Sequence, residues 1–243
     1  MKNVLWEQLK RTDFQEYVAA DAVVIIPVGS MEQHGWHLPV NTDTNCCYSI
    51  AKAAAERVDH VKVLVLPPIW TGYSPHHMQM EQAEGTITLG FHTFADVLTD
   101  VAASVYAHGF RKIMFLNGHG GNTAIVTAVR IKLGEEKRIP SVHGFTYWEL
   151  PDVPELMRSM SETDKGSIGH AGEFETSLQL FLQPELVDMD VAEWVSGTRG
   201  DPTSASREKG KTVFDAVVQS LSDVIRRYHA GEYDDSRVCR KVI

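Results

Sequence analysis

The chain has 243 residues, enough for one large α/β domain or two small ones, and its 43% hydrophobic and 23% charged residues are an ordinary globular balance. A net charge of −9 argues against a nucleic-acid or anionic-membrane surface. No run approaches the roughly 18 apolar residues of a membrane span, and the polar N-terminus lacks the apolar stretch of a secretory signal. The three cysteines, Cys46, Cys47 and Cys239, are an odd count with an adjacent pair. That is a poor disulfide framework, so a reducing, cytoplasmic location is expected.

In chain order, the apolar run 23–28 reads as a buried strand ending in Gly29-Ser30. A helix follows over 44–58, with Asp43 or Thr44 at its cap. A second strand, 61–66, is closed by Pro67-Pro68. Residues 67–90 form a long aperiodic loop, a kind of segment often kept for function. A helix over 92–108 is capped by Gly109. Strand 111–116 leads into Asn117-Gly118-His119-Gly120-Gly121-Asn122 and a helix over 122–135. A fourth strand is expected over 141–147, and later helices over 172–182 and 206–229. Strands alternating with helices imply a mostly parallel sheet covered on both faces, within a single domain over 1–243. In such sheets ligands bind beyond the carboxyl ends of the strands, and two polar clusters follow strands 23–28 and 111–116.

The first cluster is Glu32, Gln33 and His34, with Asp43 nearby. Glu32 and His34, two apart, share a side in an extended segment, and Asp43 can fold back toward them. Their oxygens and nitrogens suit Zn, Mn or Fe, although a polar loop with a helix cap would look the same in isolation. In the second cluster, glycines let the backbone of His119 approach a ligand closely. The rival is an anion-binding loop, but the spacing matches no phosphate motif and no lysine follows. In the third, His170 and Glu173 are three apart and can share a helix face. Glu175 points elsewhere on a regular helix, so Glu173 is read as the metal ligand and Glu175 as support or packing. Acids at a helix start also occur for the sake of its dipole.

These segments resemble the creatininase family of amidohydrolases. The resemblance rests on Pro27-Val28-Gly29-Ser30-Met31-Glu32-Gln33-His34-Gly35, Asp43, the 117–122 loop, His170-Ala171-Gly172-Glu173-Phe174-Glu175-Thr176-Ser177 and Ala205-Ser206-Arg207-Glu208-Lys209-Gly210. It implies a three-layer α/β/α fold and a centre of two divalent metal ions, Zn and/or Mn, with Fe as a further option. Glu32, His34, Asp43 and His119 would be ligands, Asp43 bridging. Creatininase proper has an aromatic and a ligating glutamate where this chain has Gly120 and Gly121, so Glu173 is expected to replace that carboxylate. Three carboxylates against two divalent ions leave positive charge to acidify a bound water, and His170 is the expected proton shuttle.

The expected activity is hydrolysis of a carbon–nitrogen bond in a small amide or cyclic amide. The alternative is hydrolytic carbon–carbon ring opening of a cyclic diketone such as a keto-inositol, with His77 meeting a substrate oxygen. Trp148 matches an active-site tryptophan of creatininase proper, while a second such tryptophan corresponds here to Gly166, making creatinine a doubtful substrate. Relatives in the family resemble hexamers, so a homo-oligomer acting on a small molecule is expected.

Overall fold

The computed structural model describes residues 3–140, 142–162 and 168–232. Gly166 and Cys239 therefore lie outside the described residues. Strands β1 (Val23–Val28), β2 (Val63–Val65), β3 (Lys112–Asn117) and β4 (Val142–Thr146) form one parallel sheet in the order β2-β1-β3-β4. Val23 of β1 sits beside Val63 of β2 and Lys112 of β3, and Val28 ends beside Asn117. The strand order reverses at β1, so the carboxyl ends of β1 and β3 form the switch point, where adjacent connections diverge and leave a crevice.

The helices are α1 (Phe14–Ala19), α2 (Thr42–Arg57), α3 (Pro75–Met78), α4 (Phe91–Ala107), α5 (Thr123–Glu135), α6 (Val153–Met160), α7 (Glu173–Leu182) and α8 (Arg207–His229). The two-residue period of β1 sends Val23 and Ile25 into one core and Val24, Ile26 and Val28 into the other. The first core is closed by α2, α6, α7 and α8 through residues such as Ile50, Met157, Leu178 and Leu221. The second is closed by α4 and α5 through Phe94, Leu98, Ile125 and Val129. Every β1 residue is buried, which explains why that strand reads as continuous apolar sequence rather than as an alternation.

The three-layer α/β/α expectation holds, with small shifts at element ends. The second strand is shorter than 61–66, the third runs one residue later than 111–116, and α2 starts two residues earlier than expected. The 67–90 loop contains the one-turn helix α3. Helices α1 and α6 were not anticipated: α6 buries only Val153 and Met157, and α1 buries no residue fully. No described helix is long and apolar enough to cross a membrane.

Candidate metal centre

Four backbone segments converge at the switch point. The stretch after β1 brings Glu32 and His34, the first turn of α2 brings Asp43, the loop after β3 brings His119, and the entry to α7 brings His170 and Glu175. Glu32, His34, Asp43, His119 and Glu175 are all at most 5% exposed. Close backbone approach holds the segments in place. A Cβ on Gly118 would come within 2.6 Å of the Asp43 carbonyl oxygen, so only glycine lets the β3 loop lie against α2. Asn122 ties the same loop to its neighbours, accepting from the Tyr73 amide and donating to the Gly29 carbonyl, each at 2.9 Å.

The donor atoms interlock. His119 Nδ1 lies 3.2 Å from Glu32 Oε1 and 3.0 Å from Asp43 Oδ2. On the other side of Asp43, His34 Nε2 lies 3.2 Å from Oδ1 and 3.6 Å from Glu175 Oε2. Glu32, Asp43 and His119 form one donor set, and His34, His170 and Glu175 another. The two oxygens of Asp43 thus face different histidines, as a bridging carboxylate would.

The imidazole tautomers carry the argument for a cation. The far nitrogen of each ring sits on a backbone carbonyl: His34 Nδ1 on Glu32 O at 3.0 Å, His119 Nε2 on Tyr73 O at 3.2 Å and His170 Nε2 on Gln33 O at 2.8 Å. Those nitrogens must carry hydrogen and donate, which turns the opposite lone pairs toward carboxylate oxygens. Lone pair against lone pair is repulsive unless a proton or a metal ion stands between them. Among the described residues, Glu32 Oε1 and Asp43 Oδ2 are also buried without a hydrogen-bond partner, while Glu32 Oε2 accepts from Ser30 Oγ at 2.9 Å. Imidazole and carboxylate donors with orphaned buried oxygens fit a divalent metal centre.

The protonation equilibria agree. Burial alone would make His34 and His119 weaker bases, yet the facing Asp43 and Glu32 carboxylates raise both to about 10. Burial would likewise raise Glu32 and Asp43, but the surrounding imidazoles hold both below the usual carboxylate range. Glu175 goes the other way: burial, reinforced by Asp43 and Glu32, pushes it up to about 8. In the absence of metal, protons supply part of the positive charge that the site is built to receive.

The expected residues do not all meet. Glu32, His34, Asp43, His119 and His170 come together, but Glu173 does not join them. Its carboxylate accepts from Lys209 Nζ at 2.5 Å, Ser161 Oγ at 3.1 Å and the Glu162 amide at 3.2 Å, making a buried ion pair behind the site. Glu175 occupies the place anticipated for Glu173. Its Oε2 accepts from the Ala171 amide at 2.6 Å while facing His34. The readable signal was its place in the first helical turn, from which a glutamate can reach back past the helix start. Ala171 adopts φ 52°, a strained value for a residue with a Cβ, which aims that amide at the carboxylate.

A glutamate at position 121 could not take the role as this loop stands. A Cβ there would come within 2.4 Å of the Tyr73 carbonyl oxygen and 2.5 Å of His119 Nε2. A Cβ at Gly120 would meet none of the described residues within 4 Å. His77 is buried, with Nδ1 3.4 Å from Glu32 Oε1. His37 instead pairs with Thr176 Oγ1 at 2.9 Å, and burial lowers it to about 4. A cavity of about 440 Å³ opens over the centre, lined by His76, His77, Trp148, Glu149 and Arg199 among others.

Residues 7–225 match the sequence model of the creatininase family, described as creatinine amidohydrolase. Creatinine amidohydrolase of Pseudomonas putida is 30% identical over 93% of this chain and 97% of that protein. The mycofactocin precursor peptide peptidase of Mycolicibacterium smegmatis is 29% identical, covering 85% of each chain. The 3-dehydro-scyllo-inosose hydrolase of Thermotoga maritima is 26% identical over 94% of this chain and 86% of that protein. Creatininase in a manganese form, and a mutant creatininase of Zn-Zn type, each match with a TM-score of 0.81 and 29% identity, over 93% of this chain and 98% of theirs. Fold and relatives together define an amidohydrolase-type hydrolase. Within that class, the chain belongs to the creatininase family.

Proposed function

We propose that this hydrolase cleaves a carbon–nitrogen bond in a small amide or cyclic amide with the help of two divalent ions, zinc and/or manganese. Glu32, Asp43 and His119 would hold one ion, and His34, Asp43 and Glu175 the other. Such ions would polarise a substrate carbonyl and acidify water at neutral pH. The observation that carries this reading is the set of three imidazole lone pairs turned onto buried carboxylate oxygens.

The protein's own groups do the rest. His170 keeps hydrogen on Nε2 through the Gln33 carbonyl, leaving Nδ1 to take a proton from the attacking water and return it to the leaving nitrogen. Its ring is packed against His34 and His77 at centroid distances of 4.2 and 4.3 Å, which fixes its direction. Trp148, held edge-on to Tyr147, offers an aromatic wall for a flat substrate. Creatinine is a poor fit in this reading, because Gly120 leaves open space where creatininase proper places an aromatic.

A second reading is ring opening of a cyclic diketone at a carbon–carbon bond, supported by the inosose hydrolase relative. We further place the enzyme in the cytoplasm as a one-domain homo-oligomer, with a hexamer as the assembly to test. The buried free thiols of Cys46 and Cys47 and the exposed Trp36, Trp70 and Trp194 support that reading. The deciding experiment is metal analysis of the purified protein, followed by hydrolysis assays with cyclic amides, formamides and cyclic diketones before and after chelation. Full activity in metal-free protein would refute the proposal.

A further inference from the structure

We infer that Glu32, His77 and His170 form a third, weaker transition-metal position whose occupancy inhibits the enzyme, an inference that rests on the two-ion reading above. His77 Nδ1 lies 3.4 Å from Glu32 Oε1, and His170 Nδ1 lies 3.5 Å from the same atom. Ligands held about 2.1 Å from one ion are separated by about 3.0–3.4 Å in octahedral or tetrahedral geometry. The observed spacings are therefore those of a donor set before an ion draws it slightly closer.

The lone pairs point the right way. The Nε2–H of His170 is committed to Gln33 O, so its Nδ1 is an acceptor facing another acceptor. His77 Nδ1 is buried without a hydrogen-bond partner among the described residues, its side chain only 5% exposed. The oxygen they face is itself the orphaned oxygen of Glu32. These three residues group together, whereas His77 joins neither Asp43 with His119 nor His34 with Glu175. The position is thus distinct from the other two: it shares Glu32 with the ligands proposed for the first ion and none with those proposed for the second.

Its chemistry sets its strength and its choice of ion. Two neutral imidazoles and one carboxylate oxygen already shared with a neighbouring ion make a poor trap for a hard cation. Nitrogen-rich donors favour Zn²⁺ over Mn²⁺ along the divalent series. An ion here would take the His170 Nδ1 lone pair that hydrolysis needs, and would sit under the cavity that admits substrate.

The test is a Zn²⁺ titration of metal-free protein followed by equilibrium dialysis, with wild type, His77→Gln and His77→Ala compared. Wild type should bind two tight equivalents and a third at least about tenfold weaker. In both variants the third should disappear while the first two remain. A second arm needs no variant: excess Zn²⁺ should inhibit the Mn²⁺-loaded wild type under conditions where the same excess of Mn²⁺ does not. Two equivalents with no third in wild type, or a third unchanged in both variants, would overturn the inference. Failure to bind even the first two would instead refute the two-ion reading.

Discussion

His34 Nε2 and Glu175 Oε2 face each other across 3.6 Å, both buried, although 141 positions separate them in sequence. That approach is the ground for proposing Glu175 as the third carboxylate of the centre. Glu175→Gln should weaken one metal equivalent by about 100-fold or more and sharply reduce turnover. Glu173→Gln should keep both equivalents. Dialysis against graded metal with elemental analysis of both variants checks this, and loss of an ion only in Glu173→Gln would reverse the assignment.

Glu173 should matter for stability instead. Burial would raise its carboxyl pKa, but hydrogen bonds from Lys209, the Glu162 amide and Ser161 hold it below the ordinary value of 4.5. Because the folded value is depressed, this contribution is present above about 4.5 and is lost as pH falls through the folded value. Lys209→Met should cost about 1–3 kcal/mol at neutral pH by removing the cation beside a buried carboxylate that keeps its bonds from Ser161 and the Glu162 amide. Thermal melts should show that deficit narrowing as the pH is lowered through the acid range.

Metal affinity should keep rising with pH well past the range where an ordinary histidine has already lost its proton. In metal-free protein the facing carboxylates raise His34 and His119 to about 10, and burial raises Glu175 to about 8. Binding must displace those protons, so the apparent affinity should climb by about tenfold or more per pH unit between pH 6 and pH 8. Competition titrations in that range measure the slope, and a plateau above pH 7 would contradict these shifts.

Removing the proposed proton carrier should separate chemistry from metal capture. His170→Ala should retain the two tight ions, held by Glu32, Asp43, His119, His34 and Glu175, while kcat falls by about 10²–10⁴. Metal content and turnover measured on the same sample provide the check.

The two glycines after His119 should behave differently when filled. Gly121→Glu should destabilise the protein by at least about 1–3 kcal/mol, because its Cβ meets the Tyr73 carbonyl, and should add no metal equivalent. Gly120→Tyr should fold normally, since its Cβ would meet no described residue within 4 Å. Melting temperature and metal stoichiometry distinguish the two.

The strands and the larger helices were legible because β1 and β3 are buried runs bounded by turn residues, and because α4 and α5 carry one apolar face each. The cluster was legible because its residues follow β1 and β3, whose ends must adjoin in a parallel sheet. The choice between Glu173 and Glu175 was not. Comparing faces works along the side of a helix, but this centre lies off its end, where first-turn side chains surround the axis and Ala171 turns the chain back. The burial of His77 was not legible either, because it sits within a one-turn helix too short to give any periodicity.

The gap between Asp43 and His119 depends on Gly118, where any Cβ would come within 2.6 Å of the Asp43 carbonyl oxygen and 2.9 Å of the Cys47 Cβ. Cys47 belongs to the core closed by α2, α6, α7 and α8, and not to the one closed by α4 and α5. Substitutions that loosen the α4–α5 layer should therefore lower the melting point and leave the order of metal preference unchanged, whereas those that displace Cys47 should move both.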